Sequence, residues 1–365
     1  MGTMPQSPGE FTAEWLTFAL REGGSIKDAT VTSCEIKTIG EGSGFIGQLA
    51  QIRPTYDRVE LGAPESMIAK MPGTSEGGRQ IGNLFDFYYR EIRFYEEIAH
   101  EVELSIPKLY YSASDREKQQ YILLIEDLAP ACVGDQAVGC SLAEARLAVE
   151  SVAKFHAAWW ESPRLANIGE WMPATNAPVQ QFAAGAYAQA WQPFLDMFGA
   201  GLSPEVRAVC ERIGENVVKI QTAFSQPPLT ISHGDYRVDN LFFASAAGGY
   251  EFAVADWQIS TIGRGTFDVA YLLCGGLEPE LRRAHEHDLV KLYHDTLVAN
   301  GVTGYTFDDC WNDYRLGALF QFVYIVIAVG TLDAANERGM ALWTAWLRRG
   351  AAAVEELNAI ERMPA

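Results

Sequence analysis

Residues 231–240, ISHGDYRVDN, concentrate polar side chains between short apolar segments, in a part of the chain that otherwise has helical periodicity. The apolar run NLFFA follows at once, and YEFAVAD comes after the turn sequence ASAAGGY. Short apolar runs bounded by turn residues are typical of buried strands. The pattern over 230–256 therefore predicts a few short strands joined by a polar loop and set within a helical domain. Such a loop is either an ordinary polar turn or a site that handles charge.

The chain before this region has a different pattern. VTSCEIKTIGEGSGFIGQLAQIRPTY alternates polar and apolar residues around a glycine cluster, which predicts a hairpin with a glycine-rich tip. ESMIAKMPG and YILLIED predict two further strands, and FTAEWLTFALREGG, with Thr12 as N-cap, predicts a helix. FDFYYREIRFYEEIAHEV predicts a second, charged helix. We therefore expect a small β-rich domain over residues 1–126 and a mainly helical domain over residues 127–365.

Composition narrows the possible partners and compartments. A length of 365 residues favours two domains, and the formal charge of −19 argues against nucleic-acid binding. The six cysteines show no CxxC spacing and no signal peptide precedes them, so we expect free thiols and a cytoplasmic location. The apolar run 316–332 contains Gln321 and is slightly short for a membrane span, so we expect a buried helix and no membrane insertion.

The acids of the polar loop suggest a cation site. Asp235 and Asn240 are five residues apart, and a hairpin can fold Asp256 back beside Asn240. Mg²⁺ prefers oxygen ligands from one or two such side chains, together with substrate phosphates. Asp235 would then stand next to the ion, where it could accept a proton from a hydroxyl group. The HEHD sequence, 285–288, lies in a polar helical stretch, and we interpret it as a solvated face rather than a metal site.

Phosphate transfer also needs positive charge and backbone donors. GEGSGF, 40–45, offers a loop whose N–H groups can approach phosphates, although the same sequence could be an ordinary hairpin tip. Lys70, on a short apolar strand, would be costly to leave unpaired. Glu91 on the following helix is its expected partner, in competition with Glu96 and Glu97.

These motifs together resemble the small-molecule kinases of the aminoglycoside phosphotransferase and choline kinase group. HGDYRVDN resembles their catalytic loop, VADWQ their metal-binding motif, and MIAKMPG and YREIRFYEEIA their strand lysine and helix glutamate. LLIEDL resembles the hinge between lobes, and GTFDVAYLL resembles a helix start whose Asp268 braces the catalytic loop. The sequences DWQ and REIRFYEE resemble the ecdysteroid kinase-like branch more than the rest of the group. The resemblance covers roughly residues 30–350 in the family's order.

The resemblance implies a bilobal, protein-kinase-like α+β fold, with a small antiparallel N-terminal sheet and a mainly helical C-terminal lobe. Asp235 resembles the catalytic base, and Asn240 and Asp256 resemble ligands of Mg²⁺, with Mn²⁺ as an alternative ion. ATP is the expected nucleotide. The residues that the resemblance assigns to its binding are the phosphate-covering Gly42, Ser43, Gly44 and Phe45, the ion pair Lys70 and Glu91, and the adenine-facing main chain of Glu126 and Leu128.

The expected reaction is transfer of the γ-phosphoryl group of ATP to a hydroxyl group of a small molecule. Three acceptor classes fit: a cationic alcohol, a hydrophobic alcohol such as a steroid, and a hydroxyacyl-CoA. The alternative is a nucleotide-binding module or pseudokinase without phosphoryl transfer, which is expected to have lost the base or a metal ligand. Asp235, Asn240 and Asp256 are all present, which favours the enzyme.

Overall fold

The computed structural model describes residues 3–40, 47–331 and 337–365. The chain divides into two units, Met1–Pro130 with Ala255–Ile259 (unit 1) and Ala131–Val254 with Ser260–Ala365 (unit 2). The boundary that the sequence predicts lies between residues 126 and 127, whereas the units divide after Pro130 and residues 255–259 return to unit 1.

Unit 1 contains a five-stranded antiparallel sheet with the strand order β1-β2-β3-β5-β4. The predicted hairpin, the lysine-bearing strand, the strand YILLIED and both helices are confirmed. The elements are α1 (Ala13–Glu22), β1 (Val31–Ile39), β2 (Gly47–Tyr56), β3 (Met67–Pro72), α2 (Glu76–Leu84), α3 (Phe87–Glu97), β4 (Leu109–Asp115) and β5 (Gln120–Glu126). The predicted N-cap is also present, because the Thr12 hydroxyl accepts the N–H of Trp15 at 3.1 Å.

The core of unit 1 lies between the sheet and α1. Leu16 and Leu20 of α1 are fully buried in one cluster with Ala69 of β3 and Leu124 of β5. Successive side chains of a strand point to opposite faces, so Lys70 points away from this core. Its register partners on the neighbouring strands are Leu49 and Leu123. The period of the strand therefore places Lys70 on the opposite face of the sheet, between two leucines of the neighbouring strands.

Unit 2 is mainly helical and carries short strands at the places that the sequence predicts. Its elements are β6 (Cys132–Val133), α4 (Leu142–Trp159), α5 (Leu165–Ile168), α6 (Phe182–Phe198), α7 (Pro204–Phe224), β7 (Thr230–Ser232), β8 (Leu241–Ser245), β9 (Gly248–Val254), β10 (Thr261–Gly263), α8 (Thr266–Gly276), α9 (Pro279–Ala299), α10 (Phe307–Thr331) and α11 (Glu337–Glu356). β8 forms a sheet with β6 and β9, and β7 pairs with β10. The polar loop thus leaves β7 and enters β8.

Helix α10 contains the longest apolar run of the chain. Within the described ranges it is the one helix long and apolar enough to cross a membrane by length and composition, and 67% of its apolar window is buried inside the structure. It packs against α6, α7, α8 and α11. Gln321 at its centre is fully buried, with its side-chain oxygen placed to accept the indole N–H of Trp346 at 2.7 Å. The helix therefore behaves as the central core helix of unit 2.

The core of unit 1 can be tested with two substitutions of the same type. Leu124→Ala removes a fully buried side chain and is expected to lower the free energy of unfolding by about 2–5 kcal/mol. Leu61→Ala, at a fully exposed position, is expected to change it by less than about 0.5 kcal/mol. Urea unfolding followed by circular dichroism measures both. Equal effects of the two substitutions would contradict the described packing.

Candidate functional site

Lys70 is the centre of a charged cluster in unit 1. Its ammonium nitrogen lies 2.5 Å from Oε1 of Glu91 and 3.0 Å from Oδ1 of Asp256. The predicted pairing with Glu91 is confirmed, since Glu96 instead accepts the Ser112 hydroxyl and Glu97 pairs with Arg93. One cation therefore serves two carboxylates.

Burial and charge act against each other in this cluster. Burial lowers the pKa of the Lys70 amine, but the negative charges of Asp256 and Glu91 outweigh burial and raise that pKa above its ordinary value. Burial raises the pKa of Glu91, and the neighbouring carboxylate of Asp256 acts in the same direction against the opposing effect of Lys70. Lys70 is thus held charged and in position. Each of the two carboxylates in turn depends on Lys70 for a balancing positive charge.

Helix α3 holds the segment that carries Asp256 through three contacts. The Glu91 carboxylate accepts the backbone N–H of Trp257 at 3.2 Å, and the Trp257 ring stacks on Phe94 with centroids 4.1 Å apart. The buried guanidinium of Arg90 donates to the carbonyl of Gln258 at 3.3 Å. Asp256 itself has a φ of 68°, in the left-handed region that Asp tolerates better than most residues. These contacts fix the backbone on both sides of the strained position.

The predicted hinge residues lie at the end of β5. The N–H of Glu126 donates to the carbonyl of Lys108 at 2.9 Å, so this group is not available as a donor to a base. Leu128 is buried. Between them Asp127 accepts hydrogen bonds from Gln51 at 2.6 Å and Ser66 at 2.5 Å, which ties the segment to the sheet. Their predicted contact with adenine stays a prediction, and the predicted phosphate-covering residues Gly42, Ser43, Gly44 and Phe45 lie outside the described residues.

In unit 2 the polar loop is held by Asp268, at the start of α8. Its carboxylate accepts the Ser232 hydroxyl at 2.8 Å, the N–H of His233 at 2.7 Å and the N–H of Gly234 at 3.0 Å, and it also bonds His156 at 3.1 Å. Burial favours a raised pKa for Asp268, but the hydrogen bond and charge of His156 hold the pKa below its ordinary value. The brace implied by the family resemblance is therefore present.

Asp235 is surrounded by groups that fix its carboxylate. The side-chain N–H₂ of Asn240 donates to its carbonyl at 2.8 Å and to its Oδ2 at 3.0 Å. Arg237 lies 3.3 Å from the same carboxylate and 3.0 Å from that of Asp239. Tyr271 is buried, and burial followed by the negative charge of Asp235 raises its pKa well above the ordinary value. The loop thus presents one oriented, largely buried carboxylate.

Asn240 in unit 2 and Asp256 in unit 1 each carry an oxygen of the kind that a hard cation binds. Because the nitrogen of the Asn240 amide is committed to Asp235, its oxygen is the atom left to face an ion. Asp256 supplies carboxylate oxygens in unit 1, and Mg²⁺ typically takes one or two such ligands with phosphates completing its shell. Over residues 3–40, 47–331 and 337–365, no group of three or more His, Cys, Asp or Glu side chains could hold a metal ion.

The interpretation of the HEHD sequence as a solvated face is partly wrong. His287 and Asp288 are exposed, whereas Glu286 is buried, pairs with Arg282 and accepts the Tyr314 hydroxyl at 3.1 Å. The burial of Arg282 explains the difference, because its charge needs a buried partner.

Sequence reasoning missed the residues that support the site. Phe94 lies three residues after Glu91, on the same face of α3, and this spacing could have indicated a contact with the same partner. Arg90 and Gln136 gave no comparable signal, because each of them binds backbone groups that are distant in sequence.

Comparison with known proteins agrees with the motifs and the fold. The sequence profile of the ecdysteroid kinase-like family matches residues 41–302, which is more than half of the chain. The chain belongs to the ecdysteroid kinase-like family. It is therefore a member of a group of small-molecule kinase-like proteins.

Individual relatives are distant. An uncharacterised kinase-like protein of Caenorhabditis elegans is 25% identical over 245 residues, which cover 64% of this chain and 62% of that protein. The chain thus spans less than two thirds of that curated relative.

Solved structures show the same fold. A putative aminoglycoside phosphotransferase from Ralstonia eutropha JMP134 has a TM-score of 0.55 at 15% identity, covering 96% of this chain and 99% of that one. Choline kinase from Cryptosporidium parvum Iowa II has a TM-score of 0.52 at 13% identity, with coverage of 91% and 92%. At these identities the similarity shows the fold alone, and the predicted protein-kinase-like α+β fold is confirmed.

The Lys70 cluster predicts a stability that depends on pH once the lysine is removed. Lys70→Met leaves the buried Glu91 carboxylate without its cation, which is expected to cost about 3–5 kcal/mol of unfolding free energy at neutral pH. The loss also raises the pKa of Glu91 further, so the folded state keeps a proton that the unfolded state releases near pH 4.5. Stability is therefore expected to fall as the pH rises above 4.5, by up to about 1.4 kcal/mol per pH unit.

Urea unfolding between pH 4.5 and pH 8 measures this effect. Lys118→Met, which removes an exposed lysine paired with Asp115, is the matched control and is expected to leave the pH dependence unchanged. The double variant Lys70→Met/Glu91→Gln is expected to restore a flatter profile, because the titrating carboxyl group is gone. A Lys70→Met profile parallel to that of the wild type would contradict the described ion pair.

Proposed function

We propose that this protein is an ATP-dependent kinase that transfers the γ-phosphoryl group of ATP to a hydroxyl group of a small molecule. The observation that carries the proposal is the fixed carboxylate of Asp235, oriented by Asn240 and Arg237 in the first half of a loop that Asp268 braces. A carboxylate in such a position can accept the proton of an attacking hydroxyl group. Family membership supports the same reaction class.

Asn240 and Asp256 are the proposed ligands of Mg²⁺, with Mn²⁺ as the alternative ion. Chain connectivity supports this, because Leu241 pairs with Val254 in the β8–β9 hairpin, Asn240 directly precedes Leu241, and Asp256 lies two residues after Val254. A bound ion would neutralise charge on the β- and γ-phosphates. Lys70 would orient the α- and β-phosphates, kept in place by Glu91.

The surroundings of Asp235 in unit 2 favour an acceptor with an apolar face. The ring of Tyr271 lies 6.3 Å from that of Tyr324 and 5.8 Å from that of Trp346. Tyr324 is half-buried, and burial, followed by the negative charge of Asp235, raises its pKa above the ordinary value. Aromatic side chains of this kind typically line pockets for ligands that are largely apolar, with a few polar groups that fix orientation. Tyr271 and Trp346 are buried, so the half-buried ring of Tyr324 is the member of this group that can face a ligand, and among the three acceptor classes a hydrophobic alcohol fits it best.

A screen of hydroxylated compounds tests both parts of the proposal. Consumption of ATP in the presence of Mg²⁺ is measured against panels of sterol-like alcohols, amino alcohols, aminoglycosides and hydroxyacyl thioesters, and mass spectrometry detects the added phosphate. Turnover with a sterol-like alcohol is the expected result. Turnover restricted to amino alcohols or aminoglycosides would contradict the proposed acceptor class, and nucleotide binding without turnover on any panel would favour the pseudokinase alternative.

The role of Asp235 is tested with Asp235→Asn. The substitution preserves the shape of the side chain but removes its basicity, so turnover is expected to fall by about 10²- to 10⁴-fold while the affinity for Mg²⁺–ATP is retained. Asp288→Asn, at an exposed position of α9, is the control and is expected to keep full turnover. Unchanged turnover in Asp235→Asn would show that another group accepts the proton.

A further inference from the structure

Gln136, in the segment between β6 and α4, holds the catalytic loop at two adjacent residues. Its side-chain oxygen accepts the N–H of Val238 at 2.8 Å, and its own backbone N–H donates to the carboxylate of Asp239 at 2.8 Å. Gln136 has 1% of its surface exposed, so its polar groups depend on these bonds. A single buried residue therefore fixes the distal half of the loop, Val238 through its side chain and Asp239 through its backbone N–H.

The contacts of Gln136 reach the proposed base, Asp235, through Asp239 and Arg237. One oxygen of Asp239 accepts the Gln136 N–H, and the other lies 3.0 Å from Arg237. Arg237 in turn lies 3.3 Å from Asp235. Because both oxygens of Asp239 are engaged, a shift of Gln136 would move Asp239 and the guanidinium that flanks the base.

Gln136 is itself held by Arg349 of α11. One guanidinium nitrogen donates to the Gln136 carbonyl at 2.7 Å and to the Gly275 carbonyl at 3.3 Å, and the other donates to the Val138 carbonyl at 2.8 Å. Arg349 is 1% exposed, and its charge is balanced by Glu278 at 2.7 Å. The planar fork of arginine can serve several carbonyls at once, which a lysine ammonium matches poorly.

The side chains around Gln136 and Gly275 are tightly packed. Gly275 of α8 also accepts the side-chain N–H₂ of Gln136 at 2.9 Å. A Cβ atom at Gly275 would lie 2.5 Å from the Gln321 side chain, 2.9 Å from the indole nitrogen of Trp346 and 3.1 Å from Gln136. Polar side chains from three separate parts of unit 2 therefore meet at this glycine with tight packing.

We propose that Gln136 and Arg349 are positioning residues for phosphoryl transfer: α11 holds Gln136 through Arg349, and Gln136 holds the loop so that Arg237 and Asp235 keep their geometry. This inference rests on the proposed function for its effect on catalysis. Neither residue is expected to touch the nucleotide or the acceptor. Small displacements of a reacting group can lower a rate by up to about 10²-fold, so loss of the grip is expected to reduce kcat.

The experiment compares Arg349→Met with Arg348→Met in the full chain. Both arginines bind Glu278, but Arg348 is 51% exposed and does not share the carbonyl contacts of Arg349. Arg349→Met is expected to lower kcat roughly 10- to 100-fold with an unchanged dissociation constant for Mg²⁺–ATP. Arg348→Met is expected to keep the wild-type kcat, and Arg349→Lys, which retains the charge, is expected to be intermediate.

Gln136→Met supplies a second variant in case Arg349→Met does not fold. It preserves the length of the side chain and the backbone N–H, and it removes the acceptor for Val238. Amide hydrogen exchange is measured over residues 235–240. Exchange at Val238 is expected to become roughly 2- to 10-fold faster, because its N–H loses one hydrogen bond. The same peptide in Arg348→Met is expected to exchange at the wild-type rate.

The two readouts separate the two proposals. A wild-type protein with no turnover on any panel contradicts the proposed function. The exchange measurement then still tests whether Gln136 holds the loop at Val238. Equal kcat in Arg349→Met, Gln136→Met and Arg348→Met overturns the positioning role, and so does unchanged exchange at Val238 in Gln136→Met. A lower melting temperature with unchanged kcat shows a purely structural role and also overturns the inference.

Discussion

The ion pairs of the Lys70 ammonium group are the interactions on which the charged cluster of unit 1 depends. A lysine on an apolar strand is unfavourable unless opposite charges meet it, and here Glu91 and Asp256 both do. The same carboxylate of Glu91 also binds the backbone next to Asp256, so the ion pair and the backbone contact stabilise one another. The segment that carries the proposed metal ligand is therefore ordered by the protein itself.

Unit 2 is also organised around one buried charged group, which here is an anion and not a cation. There a buried carboxylate, Asp268, is surrounded by two backbone N–H groups, a hydroxyl and an imidazole. Hydrogen bonds to the charged form are what make such a buried anion tolerable. In both units one buried charged group organises several backbone positions, which is why the functional loops can be short and still well defined.

The strands, the pairing of Lys70 with Glu91 and the position of the polar loop could be predicted because their signals are local. The short apolar run MIAKMPG placed Lys70 on a strand, the cost of an unpaired lysine called for a glutamate on the following helix, and the polar run at 231–240 marked the loop. The supporting residues could not be predicted in the same way. Arg349 is more than two hundred residues from Gln136, and the two meet through a backbone carbonyl, which leaves no mark in the sequence pattern. Glu286 was misjudged for a related reason, since its buried partner decides its exposure.

The dependence of the catalytic loop on Arg349 has a consequence for biosynthesis. The loop is translated more than one hundred residues before Arg349, which secures it from α11. While the chain is still being synthesised, Gln136 and Val238 have no anchor on α11, and the proposed base is held only from its Asp268 side. The contacts that hold the polar loop from the α11 side therefore form only after α11 has left the ribosome, whereas those to Asp268 can form earlier.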